Sequence, residues 1–238
     1  MNIAIIGSGR AGTSFFGALR AVGHHVQLVH HNETDEISSC DVVLLTVPDD
    51  AIAAVANRLT PNPRRVVAHV AGSRTLAVLG AHPRAASMHP LVPLPSTERG
   101  IERLVGATYC VAGDALIRDV VASLHGRVLT LSDEQRMGYH ATASVAANHL
   151  VALMGQVQHL AESAGLSLED FLPLAQQALL DVAEFGPARA LTGPASRGDM
   201  ATIDAHLGAI PESERSTYVA MANAAFEMAE RRRSRSLA

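Results

Sequence analysis

Asn2-Ile3-Ala4-Ile5-Ile6-Gly7-Ser8-Gly9-Arg10-Ala11-Gly12 decides the fold. The first five residues read as a buried strand. The next six spell G-x-G-x-x-G, and helical sequence runs behind them to Val22. Gly7 permits a tight turn, Gly9 lets a pyrophosphate approach the backbone, and Gly12 lets helix and strand pack closely. Unpaired N–H groups at the helix N-terminus then face the phosphates. Gly7, Ser8, Gly9, Arg10, Ala11 and Gly12 are therefore the expected dinucleotide-binding turn. A structural turn without a ligand is the competing reading.

Outward from this turn, short apolar runs alternate with helical stretches. Strands are predicted at 2–6, 25–30, 41–47, 65–70, 85–89, 108–112 and 127–131, and helices at 10–22, 49–59 and 115–124. The third strand, DVVLLTV, is apolar almost throughout, as a strand buried on both faces should be. The link at 32–40 is too short for a full crossover helix. Beyond Ser132 no strand is visible. Residues 137–161 hold no Asp, Glu, Lys or Arg, yet His140, Asn148, His149, Gln156, Gln158 and His159 make a membrane span too costly. A long helix buried on most sides is expected there, part of it against a second subunit. Ser167-x-x-Asp170 reads as a capping box. Helices follow at 169–184, 200–207 and 212–233, and the arginine-rich tail reads as a solvated helix end. The predicted class is α/β: an N-terminal Rossmann-type, mainly parallel sheet in a dinucleotide-binding domain, 1–132. An all-α domain for substrate and dimerisation, 133–238, follows it.

Composition narrows the function. The chain has 238 residues, 48% hydrophobic and 18% charged, which excludes disorder as its class. A net charge of -4 argues against a nucleic-acid partner. All 19 basic residues other than histidine are arginine, so no mechanism can use a lysine. Two cysteines give neither a disulfide framework nor a metal knuckle, and the 12 histidines are scattered, so no metal is expected. No secretory signal is visible at the N-terminus, and a cytoplasmic protein without membrane attachment is expected.

Candidate site residues gather at strand ends. The second strand ends in Val29-His30-His31-Asn32, with no acid at its tip to bond ribose hydroxyls. That tip would tolerate a 2′-phosphate, and His30 or His31 would favour it, so NADP (NADPH) is expected over NAD. The alternative reading of these histidines is a polar strand end. Val47 and Pro48, closing the third strand, would line the cofactor's far side. His69-Val70-Ala71-Gly72-Ser73 and Ser87-Met88-His89-Pro90-Leu91 end at the same edge, and His89 reads either as facing the nicotinamide or as structural. In the helical half, His140, Ser144 and Asn148 share a stripe at i, i+4 and i+8. It reads either as an internal polar seam or as a catalytic face. In the catalytic reading His140 protonates an oxygen and Asn148 holds it. Arg197, in the Gly193-Pro194-Ala195-Ser196-Arg197-Gly198-Asp199 loop, either grips a substrate carboxylate or pairs with Asp199.

Four motifs together carry a resemblance: Gly7–Gly12, His89-Pro90-Leu91, Tyr139-His140-Ala141 through Asn148-His149-Leu150, and Leu191-Thr192-Gly193-Pro194 with Arg197-Gly198-Asp199. The chain resembles a Rossmann-like family with a helical C-terminal domain of formerly unknown function. That family belongs with the 6-phosphogluconate dehydrogenase and pyrroline-5-carboxylate reductase superfamily, and some members are taken as alternative-type ketopantoate reductases. The resemblance implies NADP binding, a homodimer through the helical domain, and reduction of a small carboxylate substrate, with 2-dehydropantoate the lead. A cyclic imine of pyrroline-5-carboxylate type is the alternative substrate, and a non-catalytic NADP-binding sensor or partner protein the alternative class. The usual ketopantoate reductases and β-hydroxyacid dehydrogenases carry a lysine on the corresponding long helix. This chain has His140 instead.

Overall fold

The structure, a computed structural model, describes residues 1–29, 37 and 39–236. They fall into two compact units, Met1–Ala147 and Asn148–Ala238. The second strand's tip, His30 through Glu33, lies outside the described residues, as does most of the 32–40 link.

The first unit is built on seven strands: β1 (Asn2–Ile6), β2 (His25–Val29), β3 (Val42–Leu45), β4 (Val66–His69), β5 (Ala85–Pro90), β6 (Thr108–Gly113) and β7 (Arg127–Thr130). Their order is β2-β1-β3-β4-β5-β6-β7. Every neighbouring pair is parallel except β5 and β6, which run antiparallel. The chain crosses back over β1 between β2 and β3. The topological switch point, where open α/β sheets bind ligands, therefore lies at the carboxyl ends of β1 and β3. Five helices belong to this unit: α1 (Arg10–Ala21), α2 (Ile52–Arg58), α3 (Thr97–Leu104), α4 (Leu116–Ser123) and α5 (Asp133–Ser144).

The side-chain period of two sorts the sheet's residues into two cores. One face packs Ile3, Ile5, Val42, Leu44, Ala68, Met88 and Tyr109 with Phe15, Leu19, Val120 and Leu124 of the helices. The other packs Ala4, Ile6, Val43, Leu45 and Val67 with Ile52, Val55 and Leu79. On that second face the sheet turns polar at the ends of β4 and β5, where His69 and Ser87 pair in register. Cys40 and Cys110 are both free and buried, and burial pushes both thiols up from their ordinary pKa.

Two elements were not foreseen. A 3-10 turn spans Leu76–Leu79. Helix α3 forms in a stretch rich in turn residues because Ser96 caps it, accepting from the Arg99 N–H at 3.3 Å. Gly100 then lets α3 approach Ser14 of α1 more closely than a side chain would permit.

The second unit is helical: α6 (Leu150–Ser163), α7 (Leu172–Phe185), α8 (Pro187–Ala190), α9 (Gly193–Arg197), α10 (Met200–Ala209) and α11 (Glu212–Ser236). Three expectations are corrected here. The helix expected through 137–161 is interrupted by a π turn, Val145–His149. Within one chain α5 and α6 bury only Arg136 and Ala161, and Met137 and Val151 are 66% and 71% exposed, so the burial expected for this stretch would have to come from a second subunit. The loop expected over 191–199 is mostly the short helix α9, with Gly193 and Pro194 opening it and Gly198, left-handed at φ 75°, ending it. The arginine tail is more than a solvated end. Arg232 donates to the Ala188 and Leu191 carbonyls, and Arg233 to the Ser196 carbonyl, so α11 caps the ends of α8 and α9. The Ser167–Asp170 capping box is present, opening a 3-10 turn, Leu168–Asp170, ahead of α7. No helix among the described residues is long and apolar enough to cross a membrane.

Candidate active site

The glycine turn between β1 and α1 has the geometry its sequence calls for. Gly7 has φ +119°, a conformation open to glycine, and a Cβ there would stand 2.8 Å from Thr46 Oγ1. The Thr46 hydroxyl shares its proton between the Ile6 carbonyl at 3.1 Å and the Gly7 carbonyl at 2.9 Å, tying the turn to the end of β3. A Cβ at Gly12 would overlap the Gly7 carbonyl, so close helix–strand packing requires glycine there. A Cβ at Gly9 would meet nothing within 4 Å, so the backbone is open on that side. Helix α1 has no side-chain cap and no acid in its first turn. Its leading N–H groups are left for a ligand, and the helix dipole favours an anion there. Ser8, Gly9, Arg10 and Pro48 are exposed, and Ala11 and Val47 half-buried. These residues fit the pyrophosphate of a dinucleotide. His30, expected near its ribose, lies outside the described residues.

Further along the same edge stands a cluster of histidines. His69 ends β4 and Ser87 is its in-register partner on β5. His89 lies two residues beyond Ser87, on the same face of the sheet. Helix α5 lies against this polar end. Arg136, wholly buried, donates from Nη2 to Ser87 Oγ at 2.9 Å. Tyr139, one turn on, has its hydroxyl 2.8 Å from His89 Nδ1, and the two rings meet edge to face. The His140 ring is also edge-on to His89, 6.0 Å between centroids. Gly72, buried just past β4, makes room for both imidazoles. A Cβ there would be 2.6 Å from His140 Nδ1 and 2.9 Å from His89 Nε2. The two rings thus pack against the backbone of residue 72 and leave no space for a side chain there.

The electrostatics of the cluster are unusual. Arg136 has a loose counter-ion in the exposed Asp133 carboxylate, 3.8 Å from its Nε, and Nε and Nη1 have no hydrogen-bond partner among the described residues. Burial pushes His69 down to about 4, with the Arg136 charge adding to the effect. The Thr75 backbone opposes that shift but makes no well-formed hydrogen bond to the ring. His89 is also pushed down to about 4, by burial first and then by His140 and Arg136. Both imidazoles are therefore neutral at pH 7. Burial holds Tyr139 protonated, raising it to about 12. Among the described residues, no three His, Cys, Asp or Glu side chains are arranged to hold a metal ion.

The structure thus puts His140 beside His89, and it adds Arg136, Tyr139, His69 and Gly72, which were not assigned roles from sequence. A readable signal was present: a cation, a phenol and an imidazole at i, i+3 and i+4, Arg136-x-x-Tyr139-His140, lie along one helix face. Asn148 is exposed and belongs to the second unit, within the π turn, so the α-helical period that placed it in line with His140 stops at Ser144. Arg197, also in the second unit, is exposed at the end of α9. Its alternative role as an ion-pair partner of Asp199 is not realised among the described residues. Asp199 instead caps α10, accepting from Thr202 N–H and Oγ1, which holds its carboxyl below the usual range, with the Arg197 charge a smaller aid.

Comparison with known proteins agrees with the architecture. The family described as a domain of unknown function, DUF2520, matches residues 107–225, half of the chain. No curated protein matches it. A protein of Bacteroides fragilis, provisionally described as an NADP oxidoreductase, superposes with a TM-score of 0.80 at 20% identity, over 95% of this chain and 98% of that one. Protein TM1727 of Thermotoga maritima gives 0.76 at 21% identity, over 97% and 99%. Pyrroline carboxylate reductase of Plasmodium falciparum, solved with NADP bound, gives 0.62 at 11% identity, over 96% and 98%. At these identities the likeness is one of fold.

Proposed function

The chain belongs to the DUF2520 family, and we propose that it is a cytoplasmic NADP-dependent oxidoreductase reducing a small 2-oxo acid, with 2-dehydropantoate (ketopantoate) the lead substrate. One observation carries this reading: an open glycine turn and a cluster of neutral histidines share the carboxyl edge of the parallel strands of one sheet. The Gly7–Gly12 turn holds the pyrophosphate, and Val47 and Pro48 line the cofactor beyond β3. When bound, the reduced nicotinamide supplies a hydride to the substrate carbon. The chain must then hold and protonate the oxygen left behind, and the adjacent imidazoles of His89 and His140 are the groups proposed to supply that proton. Asn148 as an oxygen-orienting group and Arg197 as a carboxylate grip complete the proposal. They are tested by Asn148→Ala and Arg197→Ala, the second expected to raise KM more than it lowers kcat.

The cyclic-imine alternative draws support from the NADP-bound pyrroline carboxylate reductase of the same fold. The working unit is proposed as a homodimer through the helical half. Helix α7 supports this, since none of its residues is buried and Leu174 and Leu180 are 69% and 62% exposed.

Thermal unfolding with NADPH, NADP, NADH and NAD tests the cofactor. A ligand at about a hundred times its Kd adds about 2.7 kcal/mol, a shift of several degrees. NADPH is expected to raise the midpoint well above NADH, and 2-dehydropantoate then to be reduced. No shift with any nucleotide would sink the oxidoreductase reading. Binding without turnover of oxo acids or imines would leave a sensor.

A further inference from the structure

The cluster contains more than an acid needs. A lone imidazole at the reacting oxygen would suffice to give up one proton, yet His89 is backed by a phenol, and both lie near a buried cation with only a loose counter-ion. We propose that Tyr139 and His89 form a proton relay to the oxygen of a carbonyl substrate that meets His89 at Nε2. This rests on the reductase reading and deepens it, because it commits the reacting group to C=O.

The chemistry follows from the hydrogen bonds. The Tyr139 hydroxyl and His89 Nδ1 stand 2.8 Å apart, and the relay makes the phenol the donor. Neutral His89 then carries its own proton on Nε2. Hydride arrival forms a C–H bond, breaks the carbonyl π bond and leaves its electron pair on oxygen. That oxygen takes the Nε2 proton, and Nδ1 takes the phenolic proton. His89 ends neutral with its tautomer reversed, and the negative charge has moved to Tyr139, which solvent later reprotonates.

Most of the charged and titratable groups around His89 suit this cycle. Arg136 of α5 and His69 of β4 oppose a cationic His89, as does His140. Asp49, beyond β3, works against them, but its carboxylate is engaged by Ser73 Oγ at 2.7 Å and faces Arg74 at 3.8 Å. The Arg136 charge also lowers the cost of a phenolate at Tyr139, against burial and Cys110. The buried cation is thereby a positioning residue that keeps His89 neutral and steadies the phenolate. An imine substrate arriving protonated needs none of this: its nitrogen has its proton before reduction begins.

The test has two readouts. Side-chain ¹⁵N NMR of the full-length protein without ligand, at pH 7, is expected to show His89 as the neutral Nε2–H tautomer. Tyr139→Phe is expected to abolish that fixed preference. Kinetically, Y139F is expected to keep the NADPH-induced thermal shift but to slow 2-dehydropantoate reduction about 10²-fold and to lose the wild-type solvent deuterium isotope effect. His89→Gln, a second variant, is expected to match it. A cationic or Nδ1–H His89 at pH 7 overturns the relay, as does a Y139F enzyme with unchanged rate and isotope effect. Turnover of 1-pyrroline-5-carboxylate instead of any oxo acid, insensitive to Y139F, overturns the relay and leaves the oxidoreductase reading standing. No turnover of either substrate removes both.

Discussion

His69 and His89 make the stability of the first unit depend on pH in a definite direction. Each is pushed down to about 4 from its ordinary value of 6.5, mainly by burial. Between those values the unfolded chain binds more protons than the folded one, so stability rises with pH and is lost on acidification. The full contribution is present above pH 6.5 and disappears as the pH falls to about 4. A shift of this size in wholly buried His69 sets an upper bound of about 3 kcal/mol. A urea midpoint measured from pH 7.5 to 4 is expected to fall steeply, and His69→Asn to flatten the curve. Arg136→Met gives an opposite signature. A buried cation with only a loose counter-ion is often no more stable than a well-packed apolar group of similar volume. The midpoint at pH 7 is expected to stay level or rise, the acid decline to soften, and turnover to fall. Gly72→Ala drives a methyl into both imidazoles at once. It is expected to cost about 1–3 kcal/mol and to reduce turnover at least tenfold while leaving the NADPH-induced thermal shift in place.

Among the elements, the antiparallel junction of β5 with β6 is fastened by side chains as well as by its ladder. Asp114 receives Arg84 Nε and Nη2, each at 2.8 Å, across that junction, and its Oδ1 also accepts from the Leu116 N–H at the start of α4. Asp114→Ala removes both together, and a loss of about 1–2 kcal/mol is expected, read as a lower urea midpoint at unchanged m. The strands themselves were readable because hydrophobic runs and glycine punctuation act locally: Asn2–Ile6 stands where expected, the second strand follows its expected course through the described residues, and the other five differ at their ends by a residue or two. Helix α3 was not readable. It depends on the Ser96 cap and on Gly100 meeting Ser14, a contact between residues far apart in sequence. The π turn at Val145–His149 was equally hidden, since an apolar run has the same composition whether it winds at 3.6 or more residues per turn. The glycine turn was legible residue by residue, because backbone geometry alone dictates it. The histidine cluster was legible only as separate strand ends, because its meaning lies in the register of His69 with Ser87 and the turn of α5 that brings Arg136 and Tyr139 to them.

For the whole molecule, the helical half presents an energetic problem that one chain does not solve. Leu172, Leu174, Leu179, Leu180, Val182 and Phe185 of α7 are all substantially exposed, as are Val151, Met200 and Met221 elsewhere. A helix of this length gains little stability without burying a face. Sedimentation equilibrium at micromolar concentration is expected to give twice the chain mass. Leu174→Asp with Leu180→Asp is expected to give a monomer with reduced helicity. A wild-type monomer retaining its full helical signal would refute the dimer.

The two buried thiols give the chain a built-in clock. Lysine is absent, and both cysteines are shielded and held in the unreactive thiol form, so thiol- and amine-directed reagents find little to attack in the native state beyond the terminal amine. Cys110 sits opposite His89 on β6, at the antiparallel seam. Alkylation of that sulfur requires the seam to part, so its labelling rate counts openings of the sheet beside the histidines. Cys40, between the first and third strands' starting ends and hydrogen-bonded by Gln27, counts openings at the opposite edge. Comparing the two rates with and without nucleotide separates a ligand that tightens one margin from one that stiffens the entire sheet.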